Sequence, residues 1–260
     1  MPTLTEHLVN LSTVPPYADA INHPFLVAAG NGTLSPDRLA LWLSQDRIYA
    51  AHAYPSFIGA LITNIPWDSS HPLGSPPELR NQRVLSLLVY CLENVVREVN
   101  FFKDTAAKWG LPIEGWKERK GTRDYTAEMA RISKNGSLSD GLIFLWAMER
   151  VCICIMTLFN FREAQLVSQV YLDAWTFVHN QLQSSGQDRS SAVATFATNW
   201  SSPDFIDFVN KLVKVVDDLN IQPGTGAWKR AEDIWTRVVE LEVDFWPVEG
   251  EEVSRRLSPN

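Results

Sequence analysis

Cysteine is scarce. Cys91, Cys152 and Cys154 form an odd set with no CxxC spacing, which excludes a disulfide framework and gives no sign of a zinc site. Free thiols in a reducing compartment are expected, and hence a cytoplasmic protein. Long hydrophobic runs are also missing. Residues 142–148 run into Glu149 and Arg150, and the apolar stretch 151–159 falls far short of the roughly 20 residues needed to span a bilayer, so no membrane partner is expected. The opening MPTLTEHLVNLSTVPPY lacks a basic segment followed by an apolar one, so a secretory signal is not expected. Positive charge is in deficit, with 23 Lys and Arg against 30 Asp and Glu and a net charge of -7. A nucleic-acid partner, which needs clustered cations to displace counterions, is disfavoured. Strand-like alternation bounded by turn signals is absent too.

What the chain does have is apolar mass with helical spacing. Forty-five per cent of its 260 residues are apolar, with ten Trp, twelve Phe and six Tyr, enough for a substantial core or an aromatic-walled pocket. Ser35-Pro36-Asp37 supplies an N-cap, a first-turn Pro and an early acid for a long helix that bends near Pro55. A second long helix is expected over 78–109, with Leu85, Leu88, Leu92, Val95, Val99 and Phe102 as its stripe and Gly110 as its C-cap. Further helices are expected over 121–135, from 139 to about 161, over 162–183, over 203–220 and over 225–246, where Pro247 forbids continuation. No repeat and no linker divides the chain. The expectation is one all-α, single-domain bundle of about seven to nine helices over 1–260, with 248–260 a charged tail.

Three carboxylates fall where apolar residues belong. Asp46 lies in the stripe Leu39, Trp42/Leu43, Tyr49/Ala50, Ala53; Glu149 lies in Leu142, Leu145/Trp146, Cys152/Ile153, Met156; Glu242 lies in Trp235, Val238/Val239, Phe245/Trp246. One buried acid is commonly paired or capping within a core. Three unpaired ones would each cost several kcal/mol unless hydrogen-bonded, protonated or bound to a ligand, so a shared acid-lined pocket with aromatic walls is the economical reading.

A di-metal centre would want Glu-x-x-His on two helices, and the i+3 partners here are Tyr49, Cys152 and Phe245, so no metal is expected. Haem would need His23 as its axial ligand, and a lone His beside Pro24 is more often a packing or capping residue. No cofactor is expected. The occupant that fits best is a flat, nitrogen-rich, partly cationic small molecule such as an aminopyrimidine: aromatic faces stack on its ring and carboxylates accept from its amino groups.

An ordered set of motifs resembles the TenA group of thiamin-salvage proteins, the thiaminase II-like group, whose fold is the haem-oxygenase-like helical bundle. The set comprises Asn22-His23-Pro24-Phe25 with Gly32-Thr33-Leu34, Trp42-Leu43-Ser44-Gln45-Asp46 with Tyr49, Asp124-Tyr125-Thr126, Asn199-Trp200-Ser201-Ser202-Pro203 with Phe205, and Glu242-Val243-Asp244-Phe245-Trp246. The resemblance implies that Asp46 holds an aminopyrimidine, Tyr49 packs on its ring, Tyr125 lines the pocket, and Glu242 contacts the substrate and shuttles protons. It also implies a homodimer or other homo-oligomer. One branch of the group carries a nucleophilic Cys on the fifth helix. This chain reads LIFLWAM there, followed by Glu149, and so resembles the branch with Glu in place of Cys. That branch is associated with hydrolysing aminomethyl- and N-formylaminomethyl-pyrimidines toward hydroxymethylpyrimidine. Two positions depart from the pattern: Cys152 stands where that branch commonly has Tyr, and Arg47 where the family often has Tyr.

The resulting expectation is a C–N hydrolase that releases ammonia or formate. Glu149 is the candidate base for water and Glu242 the candidate acid for the departing amine, or the two exchanged, while Asp46 orients the ring. Tyr49, Tyr125, Phe245, Trp42, Trp146 and Cys152 are the expected substrate contacts. Two alternatives stand beside it: a regulatory or non-catalytic aminopyrimidine-binding protein, and a thiaminase II that uses Cys152 as nucleophile.

Overall fold

The computed structural model describes residues 2–150, 171–185 and 190–257. Among these residues every regular element is a helix, and the all-α expectation holds. Three short helices open the chain: α1 (Leu4–Val9), α2 (Tyr17–Ile21) and α3 (Pro24–Gly30). Then follow α4 (Pro36–Ile48), a π-helical turn (Tyr49–Ala53), α5 (Tyr54–Thr63), α6 (Pro76–Trp109), α7 (Lys120–Asn135) and α8 (Leu138–Arg150). After these come α9 (Tyr171–Ser185), α10 (Ala192–Trp200), α11 (Pro203–Asp217), α12 (Gly226–Phe245) and the single turn α13 (Glu251–Ser254).

Local chemistry explains the boundaries. Thr3 and Glu6 form a reciprocal capping box on α1, and the side chains of Ser35, Ser202 and Thr225 accept the backbone N–H of Arg38, Phe205 and Trp228 to start α4, α11 and α12. The long α6 stops at Gly110, whose φ of 62° satisfies its last carbonyls in a left-handed cap. The bend expected near Pro55 is the π turn one turn upstream. Pro55 has no N–H for the carbonyl of residue 51, and its ring would collide with that carbonyl in a regular helix, so the backbone widens there.

The core is organised around α8. Residues 142–147 are each at most 1% exposed, on every side of the helix, as expected of a helix apolar all round. It packs against α11 and α12, with α12 also against α7, and α9 against α3 and α10. Trp42 stands at the centre of an aromatic cluster, its ring 5.2 Å from Trp175, 5.5 Å from Phe196 and 5.8 Å from Trp200. The expected charged tail is anchored: Glu251 of α13 pairs with buried Arg119 at 2.7 Å, and Trp116 bridges to Arg256.

Candidate active site

Asp46, Glu149 and Glu242 line one cavity, which holds about 590 Å³ of atom-free space including its mouth. From α4 and the π turn come Asp46, Tyr49 and Ala50, and from the start of α5 comes Tyr54. Helix α6 contributes Asn94, Val95 and Glu98; α7 contributes Tyr125; α8 contributes Met148 and Glu149. Phe205 of α11 and Glu242 and Phe245 of α12 complete the described wall. No Lys, Arg or His of the described residues belongs to it.

The π turn decides one of these contributions. In an unbroken helix Tyr54, eight residues past Asp46, would be turned about 80° from it and Ala53 would take the inward place. The residue added by the wider turn brings Tyr54 inward instead. Its hydroxyl donates to Glu149 Oε1 at 3.0 Å. Across the cavity Tyr125 donates to Glu242 Oε1 at 2.6 Å, and Tyr49 points its hydroxyl at Met148 Sδ, 3.3 Å away. Tyr49, Tyr125 and Phe245 meet edge to face, with ring centres 5.2–5.9 Å apart.

Burial sets the proton positions. It pushes Glu149 up to about 8, with the nearby Glu98 and Glu242 carboxylates adding to the rise and the Tyr54 hydroxyl opposing it. Glu242 is pushed up to about 7 by burial, against the hydrogen bond from Tyr125. Glu98 is raised by burial as well, while the Trp200 indole N–H, 2.8 Å from its Oε1, favours its ionised form. Tyr49, Tyr54 and Tyr125 lie well above the ordinary phenol value through burial, and neighbouring acids add to the rise, so they act as donors at neutral pH.

Some expected contacts fall elsewhere. Trp42 and Trp146 are fully buried away from this cavity; Trp146 stacks on Trp235 at 5.3 Å, because a helix apolar on all sides does not say which face meets a ligand. Cys152 lies outside the described residues. Arg47 is exposed, so its departure from the family pattern does not touch the cavity wall. His23 caps α3, its Nδ1 accepting from Phe25 N–H at 3.1 Å, and burial lowers it to about 4.

Tyr54, Asn94 and Glu98 were missed in the sequence. For Glu98 the signal was present but out of phase. The buried positions of α6 include Val84, Leu88, Cys91, Val95 and Phe102, and Glu98 completes that spacing, whereas Leu85, Leu92 and Val99 lie on its flank.

No family model matches the chain. A TenA homologue from Pyrococcus furiosus superposes with a TM-score of 0.71 over 94% of this chain and 98% of its own, at 19% identity. The fold is that of the TenA homologues. Among curated sequences, a "Probable bifunctional TENA-E protein" of Glycine max is 19% identical over 88% of this chain and 86% of its own length. A "Probable transcription factor" of Fusarium pseudograminearum (strain CS3096) is 26% identical over 94% of this chain. The chain spans about half of that Fusarium protein, 51% of its length. On the TenA-like frame, the motifs around Asp46, Tyr125 and Glu242 come together at the cavity wall.

Proposed function

We propose that this chain is a thiamin-pyrimidine salvage hydrolase of the Glu-bearing TenA branch, cleaving the exocyclic C–N bond of an aminomethyl- or N-formylaminomethyl-pyrimidine. The observation that carries the reading is the convergence of Asp46, Glu149 and Glu242 on one cavity walled by Tyr49, Tyr125 and Phe245. A family likeness to the TENA-E protein of Glycine max is consistent with it.

Asp46 accepts from the ring amino group and fixes the pyrimidine between aromatic edges. Water adds its oxygen to the exocyclic carbon as the C–N bond breaks; one carboxylate takes the proton from water, and the leaving nitrogen departs with the proton it already carries as an ammonium or with one given by the other carboxyl. The two roles fall to Glu149 and Glu242, both raised by burial into the range where a carboxyl exchanges a proton near neutral pH. The amine departs as ammonia and hydroxymethylpyrimidine remains; an N-formyl substrate is instead attacked at its formyl carbon and releases formate.

Ammonia release from 4-amino-5-aminomethyl-2-methylpyrimidine tests this, with Glu149→Gln and with thiamin as parallel substrate. Release that is lost in the variant supports the reading. Cleavage of thiamin alone, or binding with no turnover of any of these compounds, overturns it.

A further inference from the structure

We propose that Glu98, held by the indole N–H of Trp200 in the same cavity wall as Glu149, makes the leaving-group end of the cavity a cation subsite that selects a protonated aminomethyl substituent over a neutral N-formyl one. This rests on the reading of the cavity as an aminopyrimidine site and narrows which substituent it prefers.

Three observations carry it. First, Glu98 faces inward: it continues the buried stripe of α6 one turn beyond Val95, and it lines the cavity with Asn94 and Val95. Second, its carboxylate is positioned by a group that the core holds rigidly. Trp200 is 1% exposed and packed between Trp42, Phe101, Phe102 and Phe196, so the 2.8 Å bond from its Nε1 fixes where the Glu98 charge sits. Third, the charge balance is one-sided. Asp46, Glu98, Glu149 and Glu242 line the cavity, and no described lining residue is cationic. The cation beside Glu98 in the chain, Arg97, is exposed and donates to Asn94 Oδ1 at 2.8 Å.

Two neighbouring carboxyls of this kind cannot both ionise cheaply while the cavity holds only water, since each disfavours the other's charge. A ligand ammonium supplies the missing positive charge and three N–H donors, which lets the pair share the cost of ionisation with the ligand. A formamide has the same ring and the same attachment point but no positive charge at neutral pH and a single N–H donor in place of three. It leaves the pair either protonated or uncompensated. Glu98 therefore discriminates by charge, where Asp46 reads the ring that both compounds share.

The test compares kcat/KM for the aminomethyl and N-formylaminomethyl pyrimidines in wild type and Glu98→Gln. Gln retains an oxygen to accept from Trp200 and removes only the charge. The ratio of amine to formamide is expected to fall by about tenfold or more, mainly through KM of the amine. An unchanged ratio overturns the proposal. Calorimetric binding of the cationic aminomethyl compound and the neutral hydroxymethyl compound to wild-type protein needs neither turnover nor a folded variant. A preference for the cation of about tenfold or more supports the subsite, and equal affinities overturn it. If neither pyrimidine is hydrolysed, the hydrolase reading falls, while the same binding comparison repeated on Glu98→Gln still decides the role of Glu98: a lost preference supports it and a retained one overturns it.

Discussion

The Tyr54 hydroxyl reaches Glu149 Oε1 at 3.0 Å from a position that a regular helix would turn away from the cavity. The hydrogen bond favours the ionised form of an acid that burial otherwise holds protonated. In Tyr54→Phe the carboxyl loses that donor and its pKa rises further. With Glu149 as the acid, the alkaline limb of the pH–rate profile moves to higher pH, and kcat/KM falls by about tenfold. A profile whose alkaline limb stays in place would mean that the limb belongs to another group.

The same burial gives stability a pH dependence whose sign is fixed. The folded-state pKa of Glu149, about 8, is above the unfolded value of 4.5, so the native state binds the extra proton and ligand-free stability falls as pH rises between those values. Glu242 acts in the same direction up to about 7. His23, lowered from 6.5 to about 4, works oppositely, its contribution being lost as pH falls through that window. Comparing wild type with Glu149→Gln cancels His23. Gln mimics the protonated acid, so the two melt alike at pH 5, and at pH 8.5 the variant is the more stable by an amount on the order of a few kcal/mol. Each kcal/mol is about 2–4 °C in Tm for a chain of this size. A gap in Tm that does not widen with pH would mean that Glu149 is ionised in the empty cavity.

The site was legible in the sequence to the extent that helical phase was legible. Asp46, Glu149 and Glu242 stand out because each interrupts an apolar stripe on a helix whose phase its neighbours set. Glu98 is the same kind of signal, hidden because Leu85, Leu92 and Val99 suggest a stripe turned toward the flank of α6. Tyr54 was invisible for a different reason: its direction depends on a π turn, and the sequence shows Pro55 without showing how the backbone accommodates it. Trp42 and Trp146 illustrate the converse limit, since periodicity marks a residue as buried but does not separate core from cavity wall. The charged tail looked solvated, and nothing local to it announces that Glu251 meets Arg119.

Gly121 lies at a close crossing of α7 and α12. A Cβ there would stand 2.2 Å from the backbone carbonyl oxygen of Asp244, which cannot swing aside as a side chain can. Gly121→Ala is expected to lose about 3 kcal/mol and to part Tyr125 from Glu242, raising KM. Gly59 in the interior of α5 has nothing within 4 Å of a built Cβ, so Gly59→Ala should gain about 0.5–1 kcal/mol. Denaturant melts of the pair check the opposite signs; equal effects would contradict the crossing geometry.

Arg119 joins three parts of the chain, and its removal separates a positioning role from a purely structural one. Its guanidinium donates to the carbonyls of Asp244, Phe245 and Trp246, where α12 ends, and to Glu251 Oε2 at 2.9 Å, while its backbone N–H donates to Gln45 Oε1 at 2.8 Å, next to Asp46. Lysine keeps the charge but lacks the fork that serves several acceptors at once. Arg119→Lys therefore leaves buried carbonyls without donors and should cost about 2–4 kcal/mol. Glu251→Ala should cost less, because the Arg119 guanidinium keeps its carbonyl partners at the end of α12. If those bonds also hold Phe245 against Tyr49 and Tyr125, KM for the pyrimidine rises severalfold in Arg119→Lys at a temperature where the variant is fully folded, with kcat less affected. A lower Tm with KM unchanged would make Arg119 a clamp for the end of α12 that leaves the cavity wall untouched.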